Sequence, residues 1–264
     1  MEFFDSHSHY NSESFENDRK EIIEETFKFG ITTVMCAGYN LEQSKNALKL
    51  AEENDFIYAS AGISPNDIED FSEENLKEIE NLAKKDKIVA IGEIGLDYYW
   101  NKDNKNIQKD LFIKQIDIAN RLSKPIIIHT RDAWVDTIEI LKNHPVKEKG
   151  VFHCCPLNQE LIKEALKLDF YISFSGNITF RNAKAKDVVS LVPLDRLLIE
   201  TDSPYLTPEP FRGRRNDSRN VKIVAEKISE IKDKPLEEIA KITYENARRL
   251  SVSYTHLTLP TIRL

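Results

Sequence analysis

Asp5-Ser6-His7-Ser8-His9 places two imidazoles two residues apart near the start of the chain. Side chains alternate faces along a strand, so His7 and His9 would project from one side, with Asp5 beside them. Two nitrogen donors on one face can hold a metal ion, although a His-x-His pair is short enough to arise by chance. Glu93, His129, His153 and Asp202 follow, each at or just beyond a short apolar run. A nitrogen and oxygen donor set without thiolate suits Zn, Mn, Co, Fe or Mg. Six ligands are too many for one catalytic ion that keeps an open position. They suit two divalent ions bridged by a carboxylate, and Glu93, central in the order, is the natural bridge. Asp202 could also take the proton of a nucleophilic water. Cys154, beside His153, reads as a buried thiol rather than a ligand.

These residues need a scaffold that gathers strand ends. Apolar runs at 31–37, 56–62, 88–94, 125–129, 150–153, 170–174 and 197–200 follow the first strand. Helical patterns separate them, at 15–29, 41–53, 73–85, 107–122, 133–142, 159–168 and 183–191, and two more close the chain at 221–231 and 236–250. The stripe of the first helix is read as Ile22, Ile23, Thr26, Phe27 and Phe29. Short strands that are apolar on both faces and lack hairpin signals describe a parallel sheet with helical crossovers. Eight such units predict an α/β (β/α)8 TIM barrel of the metal-dependent hydrolase type, a single domain over 1–250. A doubly wound open sheet is the alternative, but no glycine-rich nucleotide fingerprint supports it. In a barrel the ends of strands one, four, five, six and eight bring all six candidate ligands to one rim. Residues 251–264 have no helical period and are expected to lie outside the fold, disordered or loosely packed.

The chain has 264 residues, of which 41% are hydrophobic and 31% charged, enough for a sizeable core. A net charge of −7 disfavours general adhesion to nucleic acid or acidic membranes, but a metal can supply local positive charge. Three cysteines, Cys36, Cys154 and Cys155, suggest no disulfide framework. With no leader pattern and no apolar run near membrane-spanning length, the expectation is a cytoplasmic protein without a membrane partner.

Seven stretches together resemble the TatD-type metal-dependent deoxyribonucleases of the amidohydrolase-like barrels. They are DSHSH (5–9), GEIGLDYYW (92–100), PIIIHTRDA (125–133), GVFHC (150–154), ETDSPYL (200–206), RGRRN (212–216) and ENARRL (245–250). The resemblance implies two divalent metals (Mg, Mn, Zn or similar) and hydrolysis of DNA phosphodiester bonds, often from the 3′ end of single strands. By position, His7, His9, Glu93 and Asp202 would hold one metal, and Glu93, His129 and His153 the other. Glu93 and Asp202 would be the catalytic pair. Asp5 is expected to orient an imidazole, and Glu200 to support the site or form a strand-end salt bridge. Arg131 would suit a phosphate oxygen, and Arg212, Arg214 and Arg215 form a basic loop that could grip a DNA backbone. Tyr98, Tyr99 and Trp100 could stack on bases or pack their loop.

Two loops depart from the family pattern. Gly62-Ile63-Ser64-Pro65-Asn66 lacks both histidines of a Gly-x-His-Pro-His loop. His153-Cys154-Cys155-Pro156-Leu157 stands where His-Cys-Phe-Ser-Gly is common. Asn66 and Asn158 can donate hydrogen bonds but carry no charge. A barrel hydrolase of small amides, lactones or phosphotriesters is the alternative enzyme. Many such relatives bridge their metals with a modified lysine, whereas the position here is Glu93. A metal-containing DNA-binding module without turnover is the third reading.

Overall fold

The computed structural model describes residues 1–100 and 102–252. The expectation for the last segment therefore falls outside the described residues from 253 onward. Ser251 lies in a final helical turn, Arg248–Val252, and its hydroxyl donates to the Ala247 carbonyl at 2.7 Å.

Eight parallel strands pair in chain order: β1 (Phe3–Ser8), β2 (Ile31–Cys36), β3 (Ile57–Ala61), β4 (Ile88–Asp97), β5 (Ile126–Arg131), β6 (Gly150–Phe152), β7 (Tyr171–Phe174) and β8 (Leu197–Ile199). The crossovers carry α1 (Arg19–Lys28), α2 (Leu41–Glu53), α3 (Glu73–Leu82), α4 (Lys105–Leu122), α5 (Trp134–Asn143), α6 (Gln159–Lys167) and α7 (Ala185–Val189). After β8 come α8 (Val221–Lys232) and α9 (Leu236–Ala247). This is the expected (β/α)8 barrel. Its seam is closed by a Ser8–Ser203 bridge, with His9 N–H donating to the Ser203 carbonyl (2.7 Å) and Asp202 N–H to the His7 carbonyl (2.9 Å).

The strands contribute to two cores, with register shifts in β2 and β4 breaking strict alternation. Phe4, Met35, Val89, Ala90, Ile127, Val151, Tyr171 and Leu198 fill the barrel floor, where Ala247 of α9 joins them. Ile31, Val34, Ile57, Ile91, Ile126, Ile128, Ile172 and Ile199 face the helices. β-Branched residues dominate because both strand faces are covered. Among the described residues, no helix is long and apolar enough to cross a membrane.

Several boundaries differ from the periodicity reading. Residues 13–15 form a separate 3-10 turn capped by Ser12, and α1 starts only at Arg19. Phe15 is buried there, its ring centroid 4.9 Å from that of Tyr10. Phe27 and Phe29 are 51% and 54% exposed, so the inward stripe of α1 is Ile22, Ile23 and Thr26 alone. β4 runs three residues beyond Ile94, which brings Asp97 onto the rim.

Candidate metal centre

Bulges aim two of the strands. From Asp5–Val34 to Ser8–Cys36, β1 advances three residues while β2 advances two. From Ile91–Ile126 to Ile94–Ile128, β4 advances three while β5 advances two. An extra residue turns its neighbours relative to the sheet, a device common beside active sites. His7 and Glu93 sit within these bulges and point into the barrel mouth. Gly95 follows with φ +140°, and a Cβ there would stand 2.0 Å from the His129 carbonyl oxygen. That close approach of β4 to β5 lets both Glu93 and Asp97 reach His129.

The six expected donors converge. His7 Nε2 lies 3.1 Å from His9 Nε2, 3.5 Å from Glu93 Oε2 and 3.7 Å from Asp202 Oδ1. His9 Nε2 is 3.4 Å from Asp202 Oδ1 and 3.7 Å from Glu93 Oε2. On the other side, Glu93 Oε1 is 2.9 Å from His129 Nδ1 and 3.3 Å from His153 Nε2, and those two nitrogens are 3.2 Å apart. The His7 and His153 rings stack at 4.0 Å, joining the two sets. Donors at 2.0–2.1 Å from one ion in a tetrahedron stand about 3.3 Å apart. The observed separations match that spacing, and packed imidazole nitrogens in a buried pocket need a cation or a proton between them. The donor set fits a divalent metal. His7, His9, Glu93, His153, His129 and Asp202 all belong to triads whose ligand atoms lie within 4.8 Å of one another.

The charges respond to this crowding. Burial alone would raise the Glu93 pKa, but the charge on His153 and hydrogen bonds from His129, His153 and His7 hold it well below the usual range. Asp202 is likewise lowered, burial being outweighed by the His9 hydrogen bond and by the charges on His153 and His7. Burial opposes charge on the imidazoles too. It prevails at His7, which is lowered, with His153 adding repulsion. At His153 the charges of Glu93 and Glu200 win and the pKa rises well above normal. His129 rises through Asp97 and Glu93, and His9 through Asp202 and Glu93.

Behind the donors stand residues that hold the rings. Glu200, fully buried, places Oε1 3.5 Å from His153 Nδ1 and accepts the Cys154 N–H at 2.6 Å. His9 Nδ1 faces the Ala37 carbonyl at 3.2 Å. Asp97 Oδ2 faces His129 Nε2 at 3.0 Å. Sequence reasoning missed Asp97 by ending its strand at Ile94. The available signal was period-two alternation from Glu93 through Gly95 to Asp97. Asp5 does not take the role expected of it. Its carboxylate bonds no imidazole nitrogen: it accepts the N–H of Thr201 at 2.9 Å, the Thr201 hydroxyl at 2.5 Å and, at 3.4 Å, the backbone N–H of His7. Asp5 thus fastens β1 to the residue beside Asp202. Cys154 keeps its proton, because burial and the charges of Asp202 and Glu200 push its thiol well up.

The donors open into a cavity of about 850 Å³ lined in part by Tyr39, Ser64, Asn66, Trp100, Arg131 and Tyr205. Arg131 is exposed, its guanidinium 3.9 Å from the Tyr99 ring centroid and 5.5 Å from that of Trp100. Tyr98 turns inward instead, its hydroxyl donating to Asp136 at 2.6 Å. The basic loop divides. Arg215 is committed to Asp18 and to the Ser14 carbonyl at 2.7 Å, which withdraws it from a backbone grip. Arg212 lies 3.7 Å from the Phe180 ring centroid and Arg214 5.7 Å from that of Phe211, and none of the three lines the cavity. Asn158 caps α6 by accepting the N–H groups of Glu160 and Leu161, so its side-chain oxygen is used internally.

The fold is thus a TIM barrel with a largely buried His/Glu/Asp cluster that could hold metal ions at the C-terminal ends of its strands. The chain belongs to the TatD related DNase family, whose model matches residues 4–251. It is 47% identical over 249 residues to the uncharacterized metal-dependent hydrolase YabD of Bacillus subtilis, covering 94% of this chain and 98% of that protein. It is 40% identical over 256 residues to the uncharacterized metal-dependent hydrolase YcfH of Escherichia coli, covering 95% and 96%. The crystal structure of YJJV, a TatD homolog from Escherichia coli, superposes with a TM-score of 0.90 at 28% identity, covering 94% and 97% of the two chains.

Proposed function

We propose that this protein is a metal-dependent phosphodiesterase that removes nucleotides from single-stranded DNA, working from the 3′ end with two divalent ions. The observation that carries the reading is the division of Glu93. Its Oε2 faces His7 and His9 near Asp202, while its Oε1 faces His129 and His153. With one carboxylate serving two donor sets, His7, His9, Glu93 and Asp202 would hold one divalent ion and Glu93, His129 and His153 the other. Bound ions would acidify a water and neutralise charge on a phosphoryl group.

The chain's own residues supply the rest. Asp202, held ionised, is the group to accept the water's proton on its carboxylate. Arg131 at the mouth suits a phosphate oxygen, and Trp100 offers a face to a base. The substrate class is supported by family membership and by the ligands' depth. His7 is fully buried and Glu93 only 6% exposed, so a scissile phosphate must enter a cavity, which a flexible strand end does more readily than a duplex.

The test is incubation of purified protein with single-stranded DNA in Mg or Mn, with and without chelator. Nucleotide release that chelator stops supports the reading. Intact DNA alongside hydrolysis of small esters, lactones or phosphotriesters overturns it, as does DNA binding without cleavage.

A further inference from the structure

We propose that Asp97 is a positioning residue that fixes which nitrogen of His129 faces the metal centre, with Asn66 holding Asp97 in place. The inference rests on reading His129 as a metal ligand. His7, His9 and His153 turn Nε2 toward Glu93, whereas His129 turns Nδ1. The reversed ring needs an acceptor behind its Nε2, and Asp97 Oδ2 provides one at 3.0 Å. An ionised carboxylate carries no proton, so Nε2–H must donate. In the neutral imidazole that leaves the Nδ1 lone pair free for a metal.

The carboxylate is itself held on every side. Asp97 Oδ1 accepts the N–H of Tyr99 (2.9 Å) and of Trp100 (3.1 Å). Gln108 clamps the Asp97 backbone, accepting its N–H at 2.8 Å and donating to its carbonyl at 2.9 Å. Asn66 Nδ2 donates to Oδ2 at 3.3 Å, the same oxygen that meets His129. Asn66 stands in the loop that departs from the family pattern, and its amide supports Asp97 without adding a charge.

Asp97→Asn keeps an oxygen for the turn but puts an N–H against His129 Nε2. The ring must then accept there and carry its proton on Nδ1, which closes the ligand position. The experiment is calorimetric titration of metal-free wild type, Asp97→Asn, Asn66→Ala and His129→Ala with Mn or Zn, with melting curves of each. Asp97→Asn should weaken the same ion that His129→Ala weakens, by about 10- to 100-fold. Any other ion should bind as before, with the metal-free melting temperature near that of wild type. Asn66→Ala should show the same defect in smaller measure. Metal binding by Asp97→Asn or His129→Ala that matches wild type overturns the proposal. So does uniform loss of all binding with a fall in melting temperature, the mark of a purely structural role.

A second measurement needs no variant. In metal-loaded wild type, nitrogen NMR of the histidine rings should show His129 protonated at Nε2 and the other three ligand rings at Nδ1. His129 sharing their pattern overturns the proposal. DNA cleavage is not read in either experiment, so failure of the nuclease assay is a separate result.

Discussion

The two ends of this barrel are built from the same strands and solve opposite problems. β1 gives Phe4 to the floor and His7 to the mouth. β4 gives Ala90 and then Glu93, and β5 gives Ile127 and then His129. Val151 and His153 repeat the pattern at β6, as do Leu198 and Asp202 at β8. The floor gains free energy by removing apolar surface from water. The mouth buries ionisable groups, which costs free energy unless each charge meets a partner. A largely buried cluster of four imidazoles and two carboxylates is therefore poor material for stability alone, and its presence points to chemistry.

That contrast can be broken at either end. Glu93→Gln should have the largest effect on activity, lowering turnover on the order of 10³-fold or more, as expected for losing a central electrostatic group. Circular dichroism should show the barrel intact. Unfolding of this variant would mean that the mouth carries the fold. Phe4→Ala acts on the floor and should cost about 3–5 kcal/mol of unfolding free energy in denaturant titrations. Its metal affinity should stay near wild type, and a parallel loss of both would erase the distinction between the ends.

The mouth should also show its own pH dependence in metal-free protein. Glu93 and Asp202 have lowered pKa values, from ordinary values of 4.5 and 3.8. Their stabilisation is present above those values and is lost as pH falls through the lower folded ones. His9, His129 and His153 are raised from 6.5, so theirs is full below 6.5 and is lost as pH rises through the higher folded values. His7, lowered from 6.5, costs stability as pH falls below 6.5, while Asp5, raised to about 7 by burial, loses it as pH rises from 3.8. These two oppose each other across the window, so denaturation midpoints should still peak between pH 4.5 and 6.5. Loaded protein should instead gain stability toward higher pH, because metal binding displaces protons from the imidazoles. A metal-free profile that keeps rising above pH 7 would contradict the paired arrangement.

Smaller effects separate the arginines. Arg131→Ala should weaken DNA binding about tenfold, the size of one charge-assisted hydrogen bond, read as a KM change in the nuclease assay. Arg215→Ala should leave KM unchanged, since that side chain is spent on Asp18 and the Ser14 carbonyl.

Much of this was legible before the fold was seen. All six candidate ligands stand out because polar residues at the ends of apolar runs are conspicuous, and β–α alternation assigns those ends to one rim. Glu200 was visible for the same reason. Asp97 was harder, because Gly95 reads as a strand terminator, yet its φ of +140° lets the strand continue. Asp5 misled because its carboxylate is taken up by Thr201, a contact between residues distant in sequence. Phe27 and Phe29 misled because apolar character says nothing about which helix face is covered.

By itself, then, the chain's order of residues determined the barrel, the chemical nature of the donor set and the family, since these depend on periodicity and residue type. Only the tertiary structure decided how these side chains are aimed and which neighbours hold them. The bulges in β1 and β4 set the directions of His7 and Glu93, Asp97 turns the His129 ring, and an ion pair with Asp18 removes Arg215 from the surface available to substrate. The physical reason is common to all of these. Each depends on a register or a contact between residues distant in sequence, which no local pattern encodes.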